Sequence, residues 1–267
     1  MYNKDEYAYT GLAQLYLNWA KRVKDPKEMT EYISKAESII NDGLKVVRVR
    51  DSLWIVSADI QKLIGDHPSH LKELEKAVQS TPGSIIGSYL LGRAYRKVRL
   101  PLKAIEVLEP VIKNHPNEFR CFVEYARALY DSGEPEDKII PILRISTLYG
   151  LSDPRFICIL GGLLFMTGKF SDAKEIFQEW YKKEFPINEA NRIGFRPKDA
   201  RRMTSVKLIG RVAAIKAGYS FIEVPGYPNF FCPSSNFEGL VSLGLEVSFE
   251  PAFTARGAVA DRTRRIC

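Results

Sequence analysis

The residues of this chain best suited to chemistry are aromatic and basic side chains near its C-terminus. Tyr219 and Phe221 alternate along one stretch, and Phe230 follows in the next. Alternation puts Tyr219 and Phe221 on one face of a strand, with Phe230 expected beside them from the neighbouring strand. Rings in such a row offer flat apolar faces to a planar partner. Arg211, Lys216, Arg262 and Arg264, with Arg256 and Arg265, are placed to contact phosphates. Residues 192–216 add eight basic side chains against one acid, Asp199. On charge alone, a polyanion partner and a solvated linker both fit that run.

Groups that could support covalent or metal chemistry lead elsewhere. His67 and His70 form an H-x-x-H around Pro68, expected in a loop, but no third ligand stands nearby. His115 precedes Pro116 at an expected helix end, where a cation complements the dipole. Cys121, Cys158, Cys232 and Cys267 form no C-x-x-C pair, which implies a reduced, cytoplasmic protein with neither disulfide nor zinc cluster. No Walker loop, nucleophile elbow or zincin motif is present, and Gly161-Gly162 follows no strand, so it is read as a helix-packing pair. The expectation is a protein that is not an enzyme and holds no metal or cofactor.

These groups must be positioned by a chain of 267 residues, 45% hydrophobic and 27% charged, ordinary values for a globular protein. The net charge of +7 is uneven: residues 188–267 carry 12 Lys/Arg against 7 Asp/Glu. The start, Met1 to Glu6, has no secretory pattern, and the longest apolar run, Phe156 to Met166, has 11 residues, too short to span a bilayer. No membrane partner is expected.

The main organising feature is a repeat. Leu91-Gly92, Tyr95, Ala104, Leu108 and Pro116 mark one copy, and Gly161, Leu164, Ala173 and Phe177 return 69 residues later. That is two periods of about 34 residues. The small residues Gly92 and Gly161 are expected to let one helix approach a second at Ala104 and Ala173. Fitting the period gives units at about 51–84, 85–118, 119–153 and 154–187. The first carries Trp54, Ala58, Ala77 and Pro82; the third keeps Ala126 and Gly133 but has Lys138 in a small-residue position. Residues 6–47 read as a degenerate fifth unit with a long polar loop from Lys21 to Met29.

These motifs resemble the tetratricopeptide repeat (TPR) family over residues 6–187. The resemblance implies a right-handed α-solenoid whose groove, lined by the first helix of each unit, holds a protein or peptide. Tyr89, Arg93, Arg96 and Lys97 would face that groove from the second unit, Arg120 and Arg127 from the third, and Arg155 from the fourth. A cationic groove suits an acidic peptide. The Lys/Asn pair of carboxylate-clamp members is absent, which disfavours chaperone tails.

From about residue 205 the pattern alternates, with short strands expected at 206–215, 220–224, 229–232, 245–252 and 258–264. Five strands in so short a length suggest a small Greek-key barrel. Gly210-Arg211-Val212, Gly218-Tyr219-Ser220-Phe221-Ile222, Phe230-Phe231-Cys232-Pro233-Ser234, Gly244-Leu245-Glu246-Val247-Ser248-Phe249 and Gly257-Ala258-Val259-Ala260 follow in order. Together they resemble the cold-shock domain, an OB-fold, which implies single-stranded nucleic-acid binding through Tyr219, Phe221 and Phe230. Ala217 stands for the family's lysine and Cys232 for its histidine, and the first-strand tryptophan is missing near Ala213-Ala214.

The expected architecture is therefore mainly α: a TPR-like domain over 1–187, a basic linker over 188–204 and a cold-shock-like OB barrel over 205–267. The leading expectation is a scaffold that binds protein through the groove and single-stranded nucleic acid, RNA in preference to DNA, through the barrel. Two alternatives stay open. The chain could be a purely protein-binding module with a structural barrel, or the sensor part of a larger signalling or defence NTPase. The oligomeric state is not legible.

Overall fold

The computed structural model describes residues 6–48, 50–182, 186–198 and 204–266. Two compact units are present, Met1–His115 and Pro116–Cys267.

The first unit is built of helix pairs: α1 (Glu6–Ala20) with α2 (Pro26–Val46), α3 (Asp51–Leu63) with α4 (His67–Ser80), and α5 (Ile85–Lys97) with α6 (Pro101–Asn114). Local chemistry starts them. Asp25 accepts from the Lys27 N–H at 3.0 Å ahead of Pro26, Asp66 from Ser69 N–H at 3.0 Å, and the Ser84 hydroxyl from Gly87 N–H at 3.1 Å. The loop after α1 is shorter than expected, because the Asp25-Pro26 cap starts α2 before Met29. His67 and His70 lie in the first turn of α4 rather than in a loop. His70 Nδ1–H donates to Ala58 O at 2.8 Å, so its ring ties α4 to α3.

Gly92 of α5 does admit α6, but its neighbour there is Leu108. A Cβ on Gly92 would stand 2.6 Å from Leu108 Cδ1. The small-against-small contact expected of Gly92 and Ala104 is replaced by a small residue under a large one, one helical turn further on. Ala104 and Leu108 are both fully buried.

The second unit begins with α7 (Phe119–Asp131), α8 (Glu136–Ile145) and the short α9 (Thr147–Gly150), followed by α10 (Pro154–Met166), α11 (Phe170–Lys182) and α12 (Ile187–Ala190). The α10/α11 pair repeats the α5/α6 contact, with a Cβ on Gly161 meeting Phe177 Cε1 at 2.6 Å. Six strands complete the unit: β1 (Leu208–Lys216), β2 (Tyr219–Glu223), β3 (Phe230–Pro233), β4 (Phe237–Glu238), β5 (Glu246–Thr254) and β6 (Gly257–Arg265). Five match the expected strands to within a few residues; the two-residue β4 is additional.

The sheet order is β3-β2-β1-β5-β6-β4, and β3 also pairs with β6 in parallel at Phe231 and Val259. The pairings thus return on themselves through β1, β2, β3, β6 and β5. Inside lie Val212, Ile222, Phe230, Cys232, Val247 and Phe249, all buried. Helix α10 packs on β5 and β6. Its residues from Phe156 to Phe165 are buried without a break. Phe165 is the hub, with its ring 5.3 Å from Phe230, 5.5 Å from Phe253, 5.2 Å from Phe170 and 5.9 Å from Tyr227.

Candidate functional site

The register of β2 and β3 decides which rings share a face. Phe221 pairs with Phe231, Tyr219 with Pro233, and Ile222 with Phe230. Paired residues point the same way, and Ile222 is fully buried. Phe230 therefore faces inward, and its exposure is 0%. This departs from the expectation that Phe230 would stand beside Tyr219 and Phe221. Phe231, 38% exposed, takes that place.

The result is a three-ring cluster on the outer face. Ring centroids are 5.6 Å apart for Tyr219 and Phe221, 5.2 Å for Tyr219 and Phe231, and 6.1 Å for Phe221 and Phe231. Across the β1–β2 pairing, Lys216 is opposite Tyr219 and Ala214 opposite Phe221. Lys216 thus puts a cation at the edge of the cluster while Ala214 leaves its face low. Cys232, assigned to the family's histidine position, points inward instead, with its Sγ 3.4 Å from the Thr263 hydroxyl. Burial raises its pKa, partly offset by hydrogen bonds with Thr263 and Ser220.

Three of the other candidate phosphate contacts, Arg211, Arg262 and Arg264, are matched by acids. Arg211 lies 3.5 Å from Glu246 and pairs across β1–β2 with Glu223. Arg262 reaches Glu250 at 3.2 Å, and Arg264 reaches Glu238 at 2.6 Å. All three are exposed, so these are screened pairs of small individual worth. Their charge is nonetheless largely cancelled, and Lys216 is the cation nearest the rings by register.

Residues 192–198, part of the run expected as a solvated or polyanion-binding stretch, instead run along β5 and the C-terminal end of α7. Phe195 bridges to Phe253 of β5. Arg127 donates from Nη2 to Gly194 O at 2.9 Å and pairs with the buried Glu124 at 3.3 Å. The Tyr130 hydroxyl accepts from Lys198 N–H at 2.8 Å, and Lys198 Nζ reaches Asp131 at 2.6 Å. Arg196 pairs with Asp261 of β6 at 2.6 Å. Arg196 and Lys198 of this segment are therefore spent on intramolecular pairs, as Arg211 is further along the basic run. Asp199, Arg201 and Arg202 lie outside the described residues.

The expected groove residues divide accordingly. Tyr89, Arg93, Arg96 and Lys97 fall at helical spacing on one stripe of α5, away from its buried Leu91, Gly92 and Tyr95. Arg93 and Lys97 are exposed, Tyr89 and Arg96 half-buried. Arg120 is exposed, its guanidinium 5.9 Å from the Phe119 ring centroid. Arg127 is committed to Gly194 and Glu124. Arg155 clamps Asp153 beneath α10, donating from its backbone N–H at 2.8 Å and its guanidinium at 2.6 Å. Burial raises the Asp153 pKa, but these Arg155 contacts outweigh it and hold the carboxyl below its usual range.

The same stripe read 69 residues after Tyr89, Arg93, Arg96 and Lys97 holds Cys158, Gly162, Phe165 and Met166. A Cβ on Gly162 would meet Phe195 at 2.5 Å and Phe253 at 2.9 Å, and one on Gly194 would meet Cys158 Sγ at 2.6 Å. In the second unit the corresponding face of α10 is thus filled by the chain's own later residues. Among the described residues, no group of three or more His, Cys, Asp or Glu could hold a metal ion. No described helix is long and apolar enough to cross a membrane.

No family model matches the chain, and no curated protein matches it. Solved structures do resemble its helical part. That of pilF from Pseudomonas aeruginosa aligns with a TM-score of 0.54 at 13% identity, covering 68% of this chain and 78% of that one. YrrB, described as a TPR protein with an unusual peptide-binding site, aligns with a TM-score of 0.48 at 14% identity, over 68% and 87% of the two chains. MamA from Desulfovibrio magneticus RS-1 gives 0.47 at 19% identity, over 64% and 94%. The chain is mostly helical, with TPR-like helical repeats and a C-terminal sheet.

Proposed function

We propose that this protein is a non-enzymatic adaptor that binds single-stranded nucleic acid, RNA in preference to DNA, on the outer face of β2 and β3. The helical repeats (1–187) bind an acidic protein segment, and 188–204 joins them to a cold-shock-like OB barrel (205–267). The observation that carries the reading is the cluster of Tyr219, Phe221 and Phe231 with Lys216 at its edge. Rings left partly open on a sheet, with one cation beside them, offer stacking to any base and charge to its phosphate. The barrel reading is supported by the pairings that return through β3 and β6. On the helical side, Tyr89, Arg93, Arg96 and Lys97 of α5 form a cationic stripe suited to carboxylates, and Arg120 of α7 offers a further cation in its own unit.

The test is a titration of fluorescent single-stranded RNA and DNA at low and moderate salt, against wild type and Tyr219→Ala/Phe221→Ala/Phe231→Ala. The reading expects binding that weakens with salt and drops at least tenfold in the triple variant. Binding untouched by the variant would reduce the claim to general electrostatics, and a folded protein that binds neither strand would sink it. A second reading, in which the barrel is structural, is favoured by the packing of Phe230 and Phe253 on Phe165. It expects no binding, and loss of helical stability when those rings are removed.

A further inference from the structure

A cavity of about 610 Å³ opens beside Phe231, between β3, the turn joining β5 to β6, and the segment after α12. Its lining includes Phe231, Ser235, Asn236, Asn191, Arg256 and Val259, and among its described lining residues none is acidic. The volume is that of a site for a small organic ligand. Phe231 belongs to both the ring cluster and the cavity wall, so the two are continuous. Asn191 and Ile193 come from the segment strapped to α7 and β5, an element with no counterpart in an isolated barrel.

The polar groups are held in place. Arg256 Nη1 donates to Asn191 Oδ1 at 3.2 Å, and its backbone N–H donates to the Thr254 hydroxyl at 3.2 Å. Asn236 Nδ2 donates to Ala260 O at 3.3 Å, which fixes the direction of its carbonyl oxygen. One wall is therefore an aromatic ring with aliphatic neighbours, one side carries oriented amides, and the rim carries a guanidinium. An aromatic wall fits a planar heterocycle, amides fit its hydrogen-bonding edge, and a guanidinium binds phosphate oxygens.

We infer that this cavity is a binding site for one nucleotide, its base against Phe231 and its phosphate at Arg256. The site extends the proposed strand-binding face, and so rests on that reading where the nucleotide is part of a strand. The same chemistry also describes a free nucleoside monophosphate, and the experiment separates the two.

Equilibrium dialysis with radiolabelled uridine and adenosine 5′-monophosphates would be run alongside the strand titration, using wild type, Ser235→Trp and Arg256→Glu. Ser235→Trp fills the cavity from an exposed position, and Arg256→Glu reverses its rim charge; circular dichroism checks the fold of each. A tenfold or greater loss of mononucleotide binding in both variants, with strand affinity unchanged, assigns a free nucleotide. A matching loss of strand affinity assigns a nucleotide within a strand. Mononucleotide binding that ignores both variants overturns the proposal, as does its absence together with strand affinity equal to wild type. The strand-binding reading fails separately, through the triple ring variant.

Discussion

Helices α5 and α10 carry the same motif 69 residues apart and meet different environments. Both place a glycine under a large side chain of the following helix, Gly92 under Leu108 and Gly161 under Phe177. Their opposite faces diverge. Helix α5 carries Tyr89, Arg93, Arg96 and Lys97 where α10 carries Cys158, Gly162, Phe165 and Met166. A helix apolar on all sides needs cover on all sides, and α10 has it: α11 on one side, β5 and Phe195 on the other. The repeat motif specifies the pairing within a unit. What the outer stripe is made of decides whether that unit keeps an open face or serves as a seat for the sheet.

The largest test of this contrast is Phe253→Ala. It removes a ring packed on Phe165, Phe177 and Phe195. It should cost about 3–5 kcal/mol in urea unfolding. If the loss were under about 1 kcal/mol, α10 would not depend on the sheet for its cover.

A sharper comparison uses the glycines. Gly162→Ala pushes a methyl into Phe195 and Phe253, an overpacking of about 1–3 kcal/mol. Gly92→Ala meets one buried aliphatic side chain, Leu108, at 2.6 Å from Cδ1 and 2.7 Å from Cγ, where Gly162→Ala meets two rings. With the same helix-propensity gain of about 1 kcal/mol, it should cost less than Gly162→Ala. Equal effects in thermal unfolding would break the distinction.

Buried thiols supply a pH test. Burial pushes Cys121 and Cys158 up to about 12 from 9.0. A group with a raised folded pKa stabilises the fold below its unfolded value and loses that contribution as pH rises between the two. Stability should therefore fall above pH 9, by about 2 kcal/mol per thiol near about pH 10.5. Cys158→Ala should remove its share of that slope, measured by denaturant unfolding across the range; an unchanged slope would show that the thiol is wetter than its packing implies. The smallest effect is expected on the open stripe. Arg93→Ala should weaken an acidic peptide a few-fold, about 0.5–1 kcal/mol, and leave stability alone. Fluorescence anisotropy with a glutamate-rich peptide reads this directly.

Much of the fold was legible because periodicity is a local signal. The spacing of Gly92, Leu108, Gly161 and Phe177 placed the helices, and alternation placed five strands. What sequence could not reveal was register. Phe230 and Phe231 are adjacent, so a shift of one residue swaps which is core and which is surface, and only pairing with Phe221 and Ile222 decides it. The partners of the basic residues were equally hidden, since Glu238, Glu246 and Glu250 lie on other strands from the arginines they meet. One further signal lies in the apolar run from Phe156 to Met166: too short to span a bilayer, it calls for an internal partner on every side of α10.

The closure of the sheet has a consequence for the protein in a crowded solution. An exposed strand edge is a template on which another chain can add itself. Here β3 is engaged by β6 through Phe231 and Val259, while the remaining length of β6 is met by β4 at Thr263 and Arg264. The two-residue β4 thus acts as a guard: it takes up hydrogen-bonding groups that would otherwise invite edge-to-edge addition. Losing it would show first as aggregation under conditions that leave the helices intact.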